Sequence, residues 1–164
     1  MTAPALLSPE HIAMVDRGVS VIVASRDAAL RPSLMRGVGS AISADGTQVT
    51  VYLRRSQSSQ LLQDITAGSG VAVVFSEPPT HRTLQLKAST ATLRPAGPAD
   101  QPLLHKYLAA MQHELAQVGY GPDYAAAMLS APLEDVVALQ FTPQAAFDQT
   151  PGPRAGAPLT AAQP

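Results

Sequence analysis

The stretch PSLMRGVGSAISADGTQVTVYL, residues 32–53, decides the fold that the sequence predicts. Strand-forming residues fill both of its ends, and Asp45-Gly46 lies between them as a tight hairpin signal. Successive side chains of a strand point to opposite faces. One face of the first strand therefore carries Leu34, Arg36, Val38, Ser40 and Ile42, and the other carries Met35, Gly37, Gly39 and Ala41. The stretch predicts a long strand, a turn and a second, antiparallel strand.

Arg36 and the glycines make this strand unusual. A charge among apolar neighbours is costly unless it has a partner, and a face built from Gly37, Gly39 and Ala41 offers almost no side chain. Together these features suit a flat, anionic ligand that approaches the backbone closely. The alternative interpretation is that Arg36 reaches water and that the glycines mark a bulge or close sheet packing.

Composition indicates one globular domain. The 164 residues are 46% hydrophobic and carry a net charge of −1, and the 11 basic residues form no run. We therefore expect no nucleic-acid partner. No apolar stretch approaches the roughly 20 residues that span a bilayer, so no membrane partner is expected either. The chain has no cysteine, and its first residues lack the pattern of a secretory signal, which favours a cytoplasmic protein.

Hydrophobic periodicity and capping residues predict four helices and four further strands outside the opening stretch. The predicted helices cover residues 9–17, 56–67, 98–118 and 123–129, and the predicted strands cover 19–24, 71–75, 82–93 and 136–141. Hairpins dominate this order, so we expect a largely antiparallel sheet of six strands, as a small barrel or a curved α+β sheet, with helix 98–118 outside. Residues 1–146 form the predicted domain, and residues 147–164 form an extended tail.

Two sets of polar residues are candidates for a site. In strand 82–93, His81, Thr83, Gln85 and Lys87 alternate with apolar residues, so one face meets the core and the other meets water or a ligand. The second set combines cations with hydroxyl groups at a helix start: Arg36, Arg54, Arg55, Ser56, Ser58 and Ser59. Such groups, with the helix dipole, can hold a phosphate without a P-loop.

Several chemistries find no support. Neither Gly37-Val38-Gly39 nor Gly68-Ser69-Gly70 completes a dinucleotide-binding pattern, and no G-x-S-x-G sequence occurs. The four histidines are scattered, so we expect no metal site. No residue stands out as a catalytic acid or base.

The segments VSVIVASRD, RPSLMRGVG, VTVYLRRSQSSQLLQDI, VAVVFSEP and THRTLQLKASTATL resemble, in order and spacing, the pyridoxamine 5′-phosphate oxidase-like, FMN-binding split-barrel family. The resemblance covers about residues 10–95. It implies a mainly β, α+β fold, a six-stranded antiparallel split β-barrel with flanking helices. It also implies a homodimer with FMN at the subunit interface.

The resemblance further implies where the cofactor would be contacted. Arg36 corresponds to a residue that contacts the flavin phosphate or the edge of the ring. Thr83 and Gln85 correspond to residues that reach the ring from a neighbouring strand. Tyr52, Leu53 and residues 56–58, at the end of the second hairpin strand and in the loop after it, would lie along the flavin and its phosphate. The complete implied set is Arg36, Gly37, Val38, Tyr52, Leu53, Arg54, Ser56, Gln57, Ser58, Thr83 and Gln85.

Two departures from the family pattern limit the expected activity. Gln57-Ser58 stands where the family commonly has an Arg-Lys pair, and the chain has no tryptophan in its tail. We therefore expect an FMN-binding oxidoreductase-like homodimer with an unknown small-molecule substrate, and no oxidation of vitamin B6. The alternatives are a deazaflavin cofactor, a haem-binding or haem-degrading protein with His81 as the iron ligand, and a non-enzymatic ligand-binding module.

Overall fold

The computed structural model describes residues 6–159. Its helices are α1 (Pro9–Arg17), α2 (Ser59–Thr66), α3 (Gln101–Ala116) and α4 (Pro122–Leu129). Its strands are β1 (Ser20–Arg26), β2 (Pro32–Arg36), β3 (Gly39–Ile42), β4 (Val49–Arg54), β5 (Val71–Ser76), β6 (Thr83–Ala88), β7 (Thr92–Pro95), β8 (Val136–Phe141), β9 (Ala145–Asp148) and β10 (Ala157–Pro158). Single turns of 3-10 helix lie at Arg55–Gln57, Pro98–Asp100 and Leu133–Asp135.

The strands form two antiparallel sheets. The first, called sheet A, has six strands in the order β10-β9-β6-β5-β1-β2. The second, called sheet B, has four in the order β3-β4-β8-β7. The predicted α+β class and antiparallel pairing are confirmed. The predicted count of six strands is wrong for the described residues, and the two sheets do not close into a single barrel.

The chain crosses from sheet A to sheet B at Gly37 and Val38. The Gly37 N–H donates to the Val21 carbonyl on β1 at 2.8 Å, and the Val38 N–H donates to the Tyr52 carbonyl on β4, also at 2.8 Å. The predicted single strand 32–42 is therefore two strands, because its hydrogen-bond partners change at this point. The predicted strand 82–93 is likewise divided into β6 and β7, one in each sheet.

Gly37 is required at the crossing because the two sheets meet there. A Cβ on Gly37 would lie 2.6 Å from a Val21 methyl and 2.8 Å from a Val51 methyl. Replacing Gly37 with alanine is therefore expected to lower the free energy of unfolding by about 2 kcal/mol through overpacking. Urea unfolding measures this loss. Gly97→Ala is the matched control, because nothing lies within 4 Å of the added Cβ, and equal losses in the two variants would contradict the explanation.

The main core lies between the inward faces of the two sheets. It is built from Val21, Val23, Val73, Phe75, Leu84 and Leu86 of sheet A and from Val49, Val51, Leu53, Leu139 and Phe141 of sheet B. A smaller apolar cluster lies beside sheet B, where Leu103 and Leu104 of α3 pack against Val38, Tyr52 and Ala138. Because these helical side chains pack beside sheet B, the outward side chain of Tyr52 on β4 is enclosed.

The end of the chain differs from the predicted extended tail. The predicted boundary at residue 146 falls inside β9, which pairs with β6 on one side and β10 on the other. Residues 147–158 thus complete one edge of sheet A, whereas the ends of the predicted segments, residues 1–5 and 160–164, lie outside the described residues. Within residues 6–159, no helix is both long enough and apolar enough to cross a membrane.

Candidate functional site

The outward face of sheet A carries a row of side chains across five strands. The pairing register aligns Arg36 on β2 with Ile22 on β1, Ile22 with Val74 on β5, Val74 with Gln85 on β6, and Gln85 with Phe147 on β9. All five are partly exposed. With strands about 4.8 Å apart, Arg36 and Gln85 lie about 14 Å apart across the sheet. This row, called the Arg36 row, begins at a cation, continues through the apolar Ile22 and Val74, and reaches Gln85 and then the aromatic Phe147.

Arg36 is the cation of this row. Its Nη1 donates to Ser20 Oγ at 2.6 Å, and none of the ion pairs found within residues 6–159 involves it. Its charge acts on Tyr107 of α3, whose pKa is raised by burial and lowered in part by Arg36. Since no carboxylate neutralises Arg36 within the described part of the chain, the guanidinium can accept an anionic ligand.

Thr83 and Gln85 share the outward face with Arg36. The Thr83 hydroxyl donates to the His81 carbonyl at 2.9 Å and lies 2.9 Å from Ser76 Oγ. Gln85 Oε1 accepts a hydrogen bond from Gln149 Nε2 at 3.2 Å. Sequence reasoning placed these two residues on one face with a possible ligand, and the structure brings them to the same face as Arg36.

The other members of the predicted phosphate cluster lie in the turn between β4 and α2, apart from the Arg36 row. The carboxylate of Asp135 accepts hydrogen bonds from the Ser56 N–H at 2.9 Å and from Ser56 Oγ at 2.6 Å. These two bonds are the largest causes that lower the pKa of Asp135. The Ser58 hydroxyl donates to the Arg54 carbonyl at 2.7 Å, and Arg54 Nη2 donates to the Ser130 carbonyl. The hydroxyls of Ser56 and Ser58 are therefore engaged within the chain. Arg54 Nε has no hydrogen-bond partner within residues 6–159, and the side chains of Arg55, Gln57 and Ser59 are exposed.

The side chains of Val38, Tyr52 and Leu53 are enclosed. Their exposed fractions are 6%, 1% and 0%. The Tyr52 hydroxyl donates to Asp100 Oδ1 at 2.7 Å, and burial together with this bond raises the pKa of Tyr52 to about 12. Arg94 donates to both oxygens of the same carboxylate, from Nη1 to Oδ2 and from Nη2 to Oδ1, each at 2.7 Å. Val38 and Tyr52 pack against α3, Leu53 lies in the main core between the sheets, and none of the three side chains offers an open surface to a ligand.

The face of Gly37 and Gly39 is filled by protein. A Cβ on Gly39 would lie 2.9 Å from a Leu104 methyl and 3.1 Å from the Tyr52 ring. The expectation that these glycines leave room for a flat ligand is therefore wrong. The two sheets pack closely at Gly37, as the alternative interpretation expects, and Leu104 of α3 covers Gly39. The open surface near Arg36 lies on the opposite, outward side of β2.

Sequence reasoning missed Ile22, Val74, Phe147 and Gln149 as neighbours of the candidate site. Phe147 and Gln149 fall in the predicted tail, because residues 145–148, Ala-Ala-Phe-Asp, show no alternation that would predict a strand. His81 is exposed and adopts a left-handed backbone with φ of 60° at the turn before β6. Within residues 6–159, no three histidine or acidic side chains come together as metal ligands would.

No protein-family model and no curated protein sequence matches this chain. The similarity lies in the fold, which is shared with pyridoxamine 5′-phosphate oxidase-like FMN-binding proteins. The resemblance expected from the sequence is therefore confirmed at the level of the fold.

Three solved structures illustrate the range of proteins with this fold. A proposed pyridoxamine 5′-phosphate oxidase from Lactobacillus delbrueckii is 15% identical, with a TM-score of 0.56 over 87% of this chain and 94% of that one. An F420 reductase is 15% identical, with a TM-score of 0.58 over 85% and 98%. HutZ, the haem storage protein from Vibrio cholerae, is 16% identical, with a TM-score of 0.50 over 87% and 94%.

Proposed function

We propose that this chain binds a flavin-type cofactor, FMN or a deazaflavin, against the outward face of sheet A and serves as an oxidoreductase-like protein. The main support for this proposal is Arg36, a cation that lies beside the apolar Ile22 and Val74. Its guanidinium donates to the Ser20 hydroxyl and forms no ion pair within residues 6–159. An arginine in this setting forms strong, charge-assisted bonds to a phosphate or a ring-edge oxygen. The redox chemistry would belong to the flavin, and the chain would bind and orient it.

The proposed site is completed by a second copy of the chain. Ile22, Val74 and Phe147 are partly exposed on the outward face of sheet A, and Leu34, two residues from Arg36, is 62% exposed. A contiguous apolar face of this kind favours association. In a homodimer built on this face, the two copies would enclose the ring between them, and Thr83 and Gln85 would supply polar contacts to its edge.

We place the anionic group of the cofactor at Arg36, and not at the turn of residues 54–58, because the Asp135 carboxylate lies beside that turn. A carboxylate that already accepts both Ser56 donors would repel a phosphate at the same place. Replacing Asp135 with asparagine removes the charge and keeps the shape. We expect FMN affinity to stay within about twofold of the unmodified protein, measured by calorimetry. Asp123→Asn, at an exposed position on α4, is the matched control.

If Asp135→Asn, but not Asp123→Asn, raised the affinity for FMN about tenfold, the result would indicate that the phosphate binds at the turn of residues 54–58 and would contradict its placement at Arg36.

The spectrum of the purified protein tests the proposal. A yellow protein with the absorption of an oxidised flavin or deazaflavin, and mass spectrometry that identifies the released molecule, would support it. A colourless protein that takes up neither FMN nor a deazaflavin would contradict it and would favour a non-enzymatic module.

Haem is the second candidate cofactor. It is favoured by the exposed imidazole of His81, which lies two residues before Thr83, the first residue of β6. A Soret band on haem addition that disappears in His81→Ala would support haem ligation by His81. A band that is unchanged in His81→Ala would exclude His81 as the ligand.

A further inference from the structure

A groove of about 900 Å³ lies on the outward face of sheet A, two residues along the strands from the Arg36 row. Its floor is made of small side chains that lie side by side on neighbouring strands. Ala24 on β1 pairs with Ala72 on β5, Ala72 pairs with Lys87 on β6, and Lys87 pairs with Ala145 on β9. The volume is within the range of small-molecule sites, about 300–1,000 Å³.

The floor of the groove is held by backbone contacts. The Ser25 hydroxyl donates to the Gly70 carbonyl at 2.8 Å, which fixes the start of β5 against the end of β1. A Cβ on Gly70 would lie only 2.7 Å from the Ala88 carbonyl oxygen, so this position accepts only glycine without a shift. The depression is thus formed by hydrogen-bonded strands and does not depend on flexible side chains.

The charges that line the groove are all positive. Arg26 and Lys87 line it, and no aspartate or glutamate does. Neither cation takes part in any ion pair found within residues 6–159. The Arg26 guanidinium donates only a long bond of 3.4 Å to the Asp27 carbonyl, and the Lys87 ammonium lies 4.9 Å from the centre of the Phe147 ring.

We propose that this groove binds a small organic anion with a flat apolar body and a carboxylate or phosphate group. The alanine floor and the exposed Leu30 at the rim suit the apolar body. The register places the backbones of Arg26 and Lys87 about 12 Å apart on a diagonal of the sheet. Both long side chains can therefore reach an anionic group bound between them. This site lies within one chain and does not depend on the proposed cofactor.

Naphthalene-2-carboxylate is a suitable probe, and the neutral alcohol naphthalene-2-methanol is its matched comparison. Nitrogen-15 NMR of the full chain, without added flavin, follows the backbone amides. The expected result is saturable shifts at Ala24, Ala72, Ala88 and Ala145 with the carboxylate, and binding weaker by at least about fivefold with the alcohol. Lys87→Met and Arg26→Gln are each expected to weaken carboxylate binding, whereas Lys106→Gln, on α3, leaves it unchanged.

Equal binding of the acid and the alcohol, or shifts that map outside the groove, would overturn the proposal. Ala72→Leu provides a second test, because the larger side chain fills the floor of the groove at a partly exposed position. A folded Ala72→Leu variant that still binds the carboxylate at full affinity would also overturn it. Since no flavin is present, a failure here leaves the cofactor proposal intact, and a failure of flavin binding leaves this one intact.

Discussion

Replacing Asp100 with alanine is expected to lower the free energy of unfolding by about 3 kcal/mol. Asp100 is 5% exposed, and its carboxylate accepts bonds from Tyr52, from two nitrogens of Arg94 and from the Gly97 N–H. Without it the Tyr52 hydroxyl, in a side chain that is 1% exposed, loses its acceptor. The start of α3 also loses its link to sheet B. Urea or thermal unfolding measures the loss.

Tyr52→Phe measures how much of this loss of stability comes from the hydrogen bond between Tyr52 and Asp100 alone. It removes one bond and leaves the carboxylate with Arg94 and Gly97, so the expected loss is about 1 kcal/mol. Because the Arg94 side chain is 42% exposed, water can solvate its charge when Asp100 is absent, and its share of the loss is small. A loss in Asp100→Ala no larger than that in Tyr52→Phe would contradict the role given to the Asp100 carboxylate.

Replacing Arg36 with glutamine is expected to weaken flavin binding by about 10- to 150-fold, which corresponds to the loss of a charge-assisted bond of about 1.5–3 kcal/mol. The guanidinium is partly exposed and has Ser20 as its described hydrogen-bond partner, so its removal breaks no described ion pair and should leave the free energy of unfolding nearly unchanged. Calorimetric titration with FMN measures the affinity.

Two further variants complete the Arg36 comparison. Arg36→Lys keeps the charge but loses the forked geometry, so an intermediate affinity is expected. Lys106→Gln removes a cation of α3 that pairs with Asp16, and it should bind flavin as the unmodified protein does. Equal affinity in Arg36→Gln and Lys106→Gln would remove Arg36 from the binding site.

Local sequence signals were sufficient for the helices and for several of the strands. Ser8 caps α1 and Gly18 ends it, as the sequence predicts. Asp45 holds the β3–β4 turn through bonds to Ser43 and Thr47, which also lower the pKa of Asp45 to about 2. The division of residues 32–42 between two sheets could not be predicted, because strand character runs on through Gly37 and the partners on β1 and β4 are distant in sequence.

The candidate site was predictable only where it depends on alternation along a strand. The side of β2 that carries Arg36 and the side of β6 that carries Thr83 and Gln85 follow from that alternation. The engagement of Ser56 depends on Asp135, which is 79 residues away, and the enclosure of Tyr52 depends on α3. Long-range contacts of this kind leave no signal in the local pattern.

The most direct test of the central claim is a nitrogen-15 NMR titration of the chain with FMN. A ligand held by Arg36 on the outward face of sheet A should shift the backbone amides of Ile22, Val74 and Gln85 in a saturable way, and these shifts should be lost in Arg36→Gln. Shifts confined to residues 54–58, or no shifts at any FMN concentration reached, would contradict the claim.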